Sequence, residues 1–249
     1  MKTNVVAVIN QKGGTGKTTT TINLGSALSK LGKKVLLLDL DPQSNLSYSL
    51  DIAAPEATLA DVFQGEKSIN DILVEKDGLW IAPGSNELVD IEISLVTQPD
   101  REKFLKHMLA KAKGFDFILI DCPPSLSVLT LNALTAAQEV LIPLQMEVLT
   151  LQGLGQIMNT VEKVQKTFNP KLKIKGIVVV MFDVRRKLSL EVLEYLHEHV
   201  KEKVFKSQVR MNVKLAEAPS FGKSVLDYDA SSNGAKDYRA LAEEYLEAQ

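Results

Sequence analysis

Lys12-Gly13-Gly14-Thr15-Gly16-Lys17-Thr18-Thr19 stands between the apolar run Val5 to Ile9 and an amphipathic stretch, Thr19 to Leu31. A glycine-rich segment where a strand turns into a helix is the setting of a phosphate-binding loop. Glycines let backbone N–H groups wrap closely around an anion, and the following helix points its positive end at the same place. Lys17 would add a point charge on the β- and γ-phosphates of a nucleotide, and the Thr18 hydroxyl would complete the coordination of Mg²⁺. The bland alternative, a glycine-rich turn beside a lysine, leaves the agreement of loop, strand and helix unexplained. The usual G-x-x-x-x-G-K-[ST] spacing wants its first glycine at position 11, which holds Gln11, and an additional lysine, Lys12, stands next to it.

Working outward, Val35-Leu36-Leu37-Leu38-Asp39 is a continuous apolar run of the kind buried on both faces of a parallel sheet. Strand, helix and strand make a βαβ unit. The second strand leads into Asp39-Leu40-Asp41-Pro42-Gln43, and alternation puts Asp39 and Asp41 on the same side, at the strand end where an α/β sheet presents its chemistry. Phe115 to Asp121 is a further buried strand ending in aspartate. The segment Asp121-Cys122-Pro123-Pro124-Ser125 therefore reads as a Walker B arrangement, with the carboxylate supporting Mg²⁺. Solvated turn acids are the plain alternative for Asp39 and Asp41, and Cys122 reads as packing.

The remaining pattern predicts helices over Thr58 to Gln64, Ile69 to Val74, Leu88 to Val96, Arg101 to Lys113, Leu126 to Ala137, Leu151 to Thr167, Ser189 to Lys203 and Ala235 to Ala248, with a loop at Leu50 to Ala54. Strands are predicted at Leu79 to Pro83, Glu139 to Leu144, Ile174 to Phe182 and Val204 to Val209. The third of these, the longest β-branched run, is expected at the centre of the sheet. The fold class is α/β: a three-layer, mostly parallel twisted sheet with helices on both faces, as one domain over residues 1–249.

Composition narrows the function classes. Formal net charge is −2 over 249 residues, so any nucleic-acid contact must come from a local patch. Cys122 is the only cysteine, which excludes an intrachain disulfide and a thiolate cluster. His107, His197 and His199 do not share a helix face. The chain opens directly on a strand pattern without a signal-peptide pattern, and no apolar run approaches a membrane span, so a cytoplasmic protein is expected. A cationic strip is expected from Lys163, Lys166, Lys171, Lys173, Lys175, Arg185, Arg186 and Lys187, the kind of surface that gains affinity for phosphates by counterion release; a solvated basic face is the alternative.

The K-G-G-x-G-K-T-T loop resembles the deviant Walker A loop of the ParA/MinD superfamily. Three further stretches match ParA/Soj partition ATPases: Leu38 to Gln43, Asp121 to Ser125, and Asn212 to Lys223. The resemblance implies a P-loop NTPase that binds ATP or ADP with Mg²⁺ and hydrolyses ATP slowly. It implies that Gly13 to Thr19 hold the phosphates, that Lys12 reaches across a homodimer to the other subunit's nucleotide, and that Asp41 positions the attacking water. Thr18, Asp39 and Asp121 would support the metal. The adenine would lie near Met181, Asp183, Arg210, Met211 and Asn212, although this chain has Arg210-Met211 where many relatives have Pro-Arg. Arg185, Lys214 and Lys223 match DNA-contacting positions, which implies sequence-independent binding of double-stranded DNA, association with the nucleoid, and a ParB/Spo0J-like activator. The expected role is partition of a chromosome or plasmid, or positioning of another cargo. No membrane partner is expected, because the last helix is acidic rather than basic. An operator-binding extension is not expected either. Competing readings are a MinD-like membrane ATPase, an iron–sulfur reductase, which would need absent cysteines, and a metabolic synthetase on the same fold.

Overall fold

The computed structural model describes residues 3–52 and 54–247; the ends of the expected 1–249 domain and of the final helix, and one residue of the expected Leu50 to Ala54 loop, lie outside them. Seven strands form one sheet in the order β3-β4-β2-β5-β1-β6-β7. They are β1 Asn4–Val8, β2 Val35–Asp39, β3 Val74–Lys76, β4 Leu79–Ala82, β5 Phe117–Asp121, β6 Glu139–Gln145 and β7 Lys173–Val180. All pairs are parallel except β3 with β4. The helices are α1 Lys17–Lys30, α2 Asn45–Ser49, α3 Leu59–Gln64, α4 Leu88–Leu95, α5 Phe104–Leu109, α6 Val128–Ala136, α7 Val148–Thr167, α8 Lys187–His199, α9 Val213–Glu217, α10 Val225–Tyr228 and α11 Asn233–Glu247.

Alternation along the strands sorts their side chains into two cores. Leu36, Leu38, Ile118, Ile120, Val140 and Ile142 pack with Leu59, Ile91, Leu105, Leu129, Leu154 and Leu196 on one side. Val6, Val8, Val35, Leu37, Leu119 and Val178 pack with Leu24, Leu28, Tyr238, Leu241 and Tyr245 on the other. Both faces are thus covered, which is why β2 and β5 are apolar without interruption up to their closing aspartates.

Four expectations are corrected. The run Ile174 to Phe182 is an edge strand, β7, rather than a central one. Its apolarity reports two covered faces, with Phe205 and Tyr245 packed against one of them, and says nothing about neighbours along the edge. The expected strand Val204 to Val209 contributes isolated bridges only, Ile177 to Val204 and Phe182 to Arg210. Ile69 to Val74 is a short 3₁₀ turn, Ile69–Ile72, followed by β3. β3 turns back into β4 through Asp77 (φ 50°) and Gly78 (φ 78°), the left-handed pair of a tight hairpin. Finally, the cationic strip is not continuous. Lys163, Lys166, Lys171 and Lys173 lie at the entry end of β7 and Arg185, Arg186 and Lys187 beyond its exit, about 23 Å apart at roughly 3.3 Å per residue. Lys175, between them, is buried against Glu139 at 3.3 Å.

The last helix ties distant parts together. Tyr238 Oη and Thr20 Oγ1 of α1 are 3.1 Å apart, the Asp237 carboxylate takes the Arg210 guanidinium at 2.6 Å, and Tyr245 donates to Glu139 at the foot of β6.

Candidate nucleotide site

The site lies at the exit ends of β1, β2 and β5. Gly14 (φ 73°) and Gly16 (φ 75°) take left-handed backbone conformations that only glycine enters freely, and they turn the loop from β1 into α1. Asn10 clamps the loop at its root. Its amide donates to the Pro143 carbonyl at 2.7 Å while its Oδ1 accepts from the Lys12 N–H at 3.0 Å. Thr15 Oγ1 donates to the Lys12 carbonyl at 3.0 Å and closes the turn.

Gly13, Gly14, Thr15, Gly16, Lys17, Thr18, Thr19, Asp41 and Met181 line a cavity of about 470 Å³. Its other walls are Ile22 and Asn23 of α1, Gln43, Asn45, Tyr48 and Ser49 around α2, Pro124, and Leu215, Ala218, Pro219 and Lys223 from the C-terminal segment. Ile22 and Asn23 follow Thr18 and Thr19 by one helical turn, a spacing that announces a shared face. The C-terminal wall has no such spacing signal, because about 200 residues separate it from the loop; its pointer in the sequence was the family match over Asn212 to Lys223, which set Lys223 among DNA contacts.

Beneath the cavity the β2–β5 register sets Asp39 beside Asp121, both fully buried. Thr18 Oγ1 donates to Asp121 Oδ2 at 2.6 Å, and Ser47 donates to Asp39 Oδ2 from both its N–H (2.8 Å) and its hydroxyl (2.6 Å). The remaining oxygens, Asp39 Oδ1 and Asp121 Oδ1, have no hydrogen-bond partner. Burial pushes the Asp39 carboxyl up to about 6 against the Ser47 hydrogen bonds, with the Asp41 charge adding to the rise. Burial, then the charge of Asp39, pushes Asp121 well above the usual carboxylate range, opposed by Thr18 and Lys17. Two buried carboxylates with orphaned oxygens beside a threonine hydroxyl form an all-oxygen donor set suited to a hard divalent cation, and Thr18, Asp39 and Asp121 therefore fit Mg²⁺. Asp41 is nearly buried at the cavity wall, its Oδ1 accepting from the Gln43 N–H at 3.0 Å. Cys122 is buried and its thiol is pushed up by that burial.

Several expected residues lie elsewhere. Lys12 does not line the cavity; its ammonium meets Glu147 at 2.8 Å on the surface, with 48% of the side chain exposed. Asp183, Arg210, Met211 and Asn212 also lie outside the cavity walls. Asp183 is held by Arg185 at 2.8 Å, hydrogen bonds that bring its carboxyl down to about 2. Arg210 forks onto Asp237, and Asn212 Oδ1 caps α9 through the Lys214 N–H at 2.8 Å. Of the expected adenine neighbours, Met181 alone is brought to the cavity, its backbone left-handed at φ 52°. Of the expected DNA contacts, Lys214 pairs with Glu217 at 2.9 Å and Lys223 lines the nucleotide cavity.

A family model described as an AAA domain matches residues 3–174. The chromosome-partitioning ATPase Soj of Treponema pallidum is 47% identical over 241 residues, covering 96% of this chain and 95% of that protein. The sporulation initiation inhibitor protein Soj of Bacillus subtilis is 44% identical over 245 residues, covering 96% and 97%. Among solved structures, one of Mycobacterium smegmatis named cobyrinic acid a,c-diamide synthase, with bound ADP and magnesium, is 38% identical with a TM-score of 0.85, covering 97% of this chain and 93% of that one. The protein is an ATPase, and the mycobacterial structures hold ADP or an ATP analogue together with magnesium. Matched along almost its whole length and carrying the lysine-bearing phosphate loop, the chain belongs to the ParA/Soj family of partition ATPases.

Proposed function

We propose that the chain is an ATP-driven switch that dimerises around its nucleotide, binds double-stranded DNA without sequence preference as a dimer, and partitions a chromosome, plasmid or other cargo in the cell interior, at the nucleoid. A ParB-like partner accelerates its hydrolysis. The observation that carries this reading is Lys12: it stands on the phosphate loop yet outside the cavity that the loop's next seven residues line. Its contact with Glu147 is an exposed ion pair, worth about 0–1 kcal/mol, so the side chain is easily released to the nucleotide of a facing subunit.

Within one subunit, the amides of Gly13 to Thr19 and the Lys17 ammonium hold the phosphates, and Thr18, Asp39 and Asp121 hold the metal. Bound Mg²⁺ supplies neutralisation of the charge that develops on the transferred phosphoryl group. Asp41 orients water at the cavity wall and accepts its proton. A carboxylate is a weak base, so turnover is slow without an activator. Met181, with Asp183, Arg210, Met211 and Asn212 behind it, bounds the base end.

DNA meets the surface above the exit of β7. Arg185, Arg186 and Lys187 follow Phe182 within five residues, and Lys214 follows its bridge partner Arg210 by four. Two subunits double this patch, which lets a mildly acidic protein hold DNA only when nucleotide-bound. Among the described residues no helix is long and apolar enough to cross a membrane.

The test is sedimentation with a non-cleavable ATP analogue, with and without plasmid DNA at low salt. Dimers that retain DNA, and release it as salt rises, are expected; a solitary chain indifferent to DNA would sink the proposal. A synthetase reading, favoured by the name of the mycobacterial relative, requires a second small substrate for turnover. DNA retention with ATP alone decides against it.

A further inference from the structure

The cavity holds two lysines, Lys17 and Lys223, against one carboxylate, Asp41. Neither lysine has a carboxylate within ion-pair distance among the described residues, whereas Lys12, Arg185, Arg210 and Lys214 around the site are all paired. The side chain of Lys223 is exposed, and its backbone is held in place from both sides. Gly222 before it is left-handed (φ 62°) and so tightly seated that an added Cβ would come within 2.5 Å of Asp51 Cβ. Backbone bonds from Gly222 N–H to Pro219 O (3.1 Å) and Lys223 N–H to Ala218 O (3.3 Å) complete the turn. After it, Ser224 is buried against Ser26 of α1 at 2.9 Å, and the Val225 N–H donates to Asn23 Oδ1 at 2.7 Å. The backbone carrying this unpaired cation is therefore locked to the same helix that begins at the phosphate loop.

We infer that Lys223 is a nucleotide-contacting residue, a second cation for the phosphates on the C-terminal wall of the cavity, rather than a DNA contact. The inference rests on the assignment of this cavity to the nucleotide. A cation without a partner in a cleft that takes a polyanion has its counter-charge supplied by the ligand, and a charge-assisted contact of this type strengthens binding about tenfold or more.

Mg-ADP separates the two roles, because it engages the nucleotide site with no DNA present. Titration calorimetry of the full chain at low salt would compare the wild type with Lys223→Gln, Lys223→Arg and, as a control for loss of one surface charge, Lys67→Gln. Lys223→Gln is expected to weaken Mg-ADP binding about tenfold, with Lys223→Arg recovering most of it and Lys67→Gln matching the wild type. Urea midpoints equal to the wild type would show that the fold is intact. Mg-ADP affinity of Lys223→Gln within twofold of the wild type, with DNA retention lost, overturns the inference. Failure of the wild type itself to bind Mg-ADP would instead remove the assignment of the cavity.

Discussion

Gly84→Ala tests how the buried Asp39 carboxylate is held. A Cβ on Gly84 would stand 2.4 Å from the Asp39 carbonyl oxygen, 3.3 Å from its carbon and 3.2 Å from its Cγ. Two of these neighbours are backbone at the end of a fully buried strand, so neither can step aside without moving β2. Overpacking of this kind costs about 1–3 kcal/mol. For a chain of this size that is a fall in melting temperature of roughly 2–12 °C, at about 2–4 °C per kcal/mol. The Gly84 N–H also donates to Ser47 Oγ at 3.1 Å, and Ser47 donates to Asp39, so the shift reaches the carboxylate proposed to hold Mg²⁺. Calorimetric melting with and without Mg-ADP reads both effects: a lower melting temperature and a smaller rise on adding ligand. Gly153→Ala, inside α7 with open space at its Cβ, is the control and should be neutral or stabilising by about 0.5–1 kcal/mol. Gly84→Ala melting within a degree of the wild type, with the full ligand response, would refute the reasoning.

Further predictions follow from the same geometry. Lys17→Ala should abolish productive nucleotide binding, read as loss of the Mg-ADP heat signal. Asp41→Ala should leave ATP-dependent dimers that persist on DNA, so its rapid release from immobilised DNA would count against the water-placing role. Lys12→Ala should stay monomeric with ATP while still binding it; an unchanged sedimentation profile would contradict action across the dimer. Burial, and for Tyr245 the Glu139 charge, hold Tyr238 and Tyr245 above the ordinary tyrosine value. The stability this represents is complete below pH ~10 and is lost as pH rises beyond it, by about 1.4 kcal/mol per unit for each tyrosine. Urea midpoints between about pH 10 and 11.5 should therefore fall, and Tyr245→Phe should flatten the slope by one proton's worth.

What could be read from the sequence was local. Left-handed glycines, the strand-to-helix junction and apolar runs ending in Asp39 and Asp121 each lie within a few residues of what they determine, and each stands where the pattern puts it. That Asp39 stands beside Asp121 came only from the family resemblance, since strand alternation paired Asp39 with Asp41 and the β2–β5 register is a tertiary fact. Features set by distant contacts were not. β7 looks central because its faces are covered, and sheet order leaves no mark in a single strand. The basic residues from Lys163 to Lys187 run together along the chain, yet a strand between them carries the two groups to opposite ends of the sheet. Asp77-Gly78 was a readable hairpin signal that the apolar spacing of Ile69 to Val74 obscured. Lys12 was expected in the pocket and lies outside its walls, beside Glu147, which is 135 residues away in the chain.

The final helix has a consequence for how the molecule loosens. Through Tyr238 it touches the helix that begins at the phosphate loop, through Asp237 the Arg210 segment bridged to Phe182, and through Tyr245 the opposite end of the sheet. Fraying of those last turns must therefore slacken Thr20 as well, so occupancy of the phosphate loop and integrity of the chain's closing segment are one equilibrium. Whatever tightens the first shields the second from solvent exchange and from proteases.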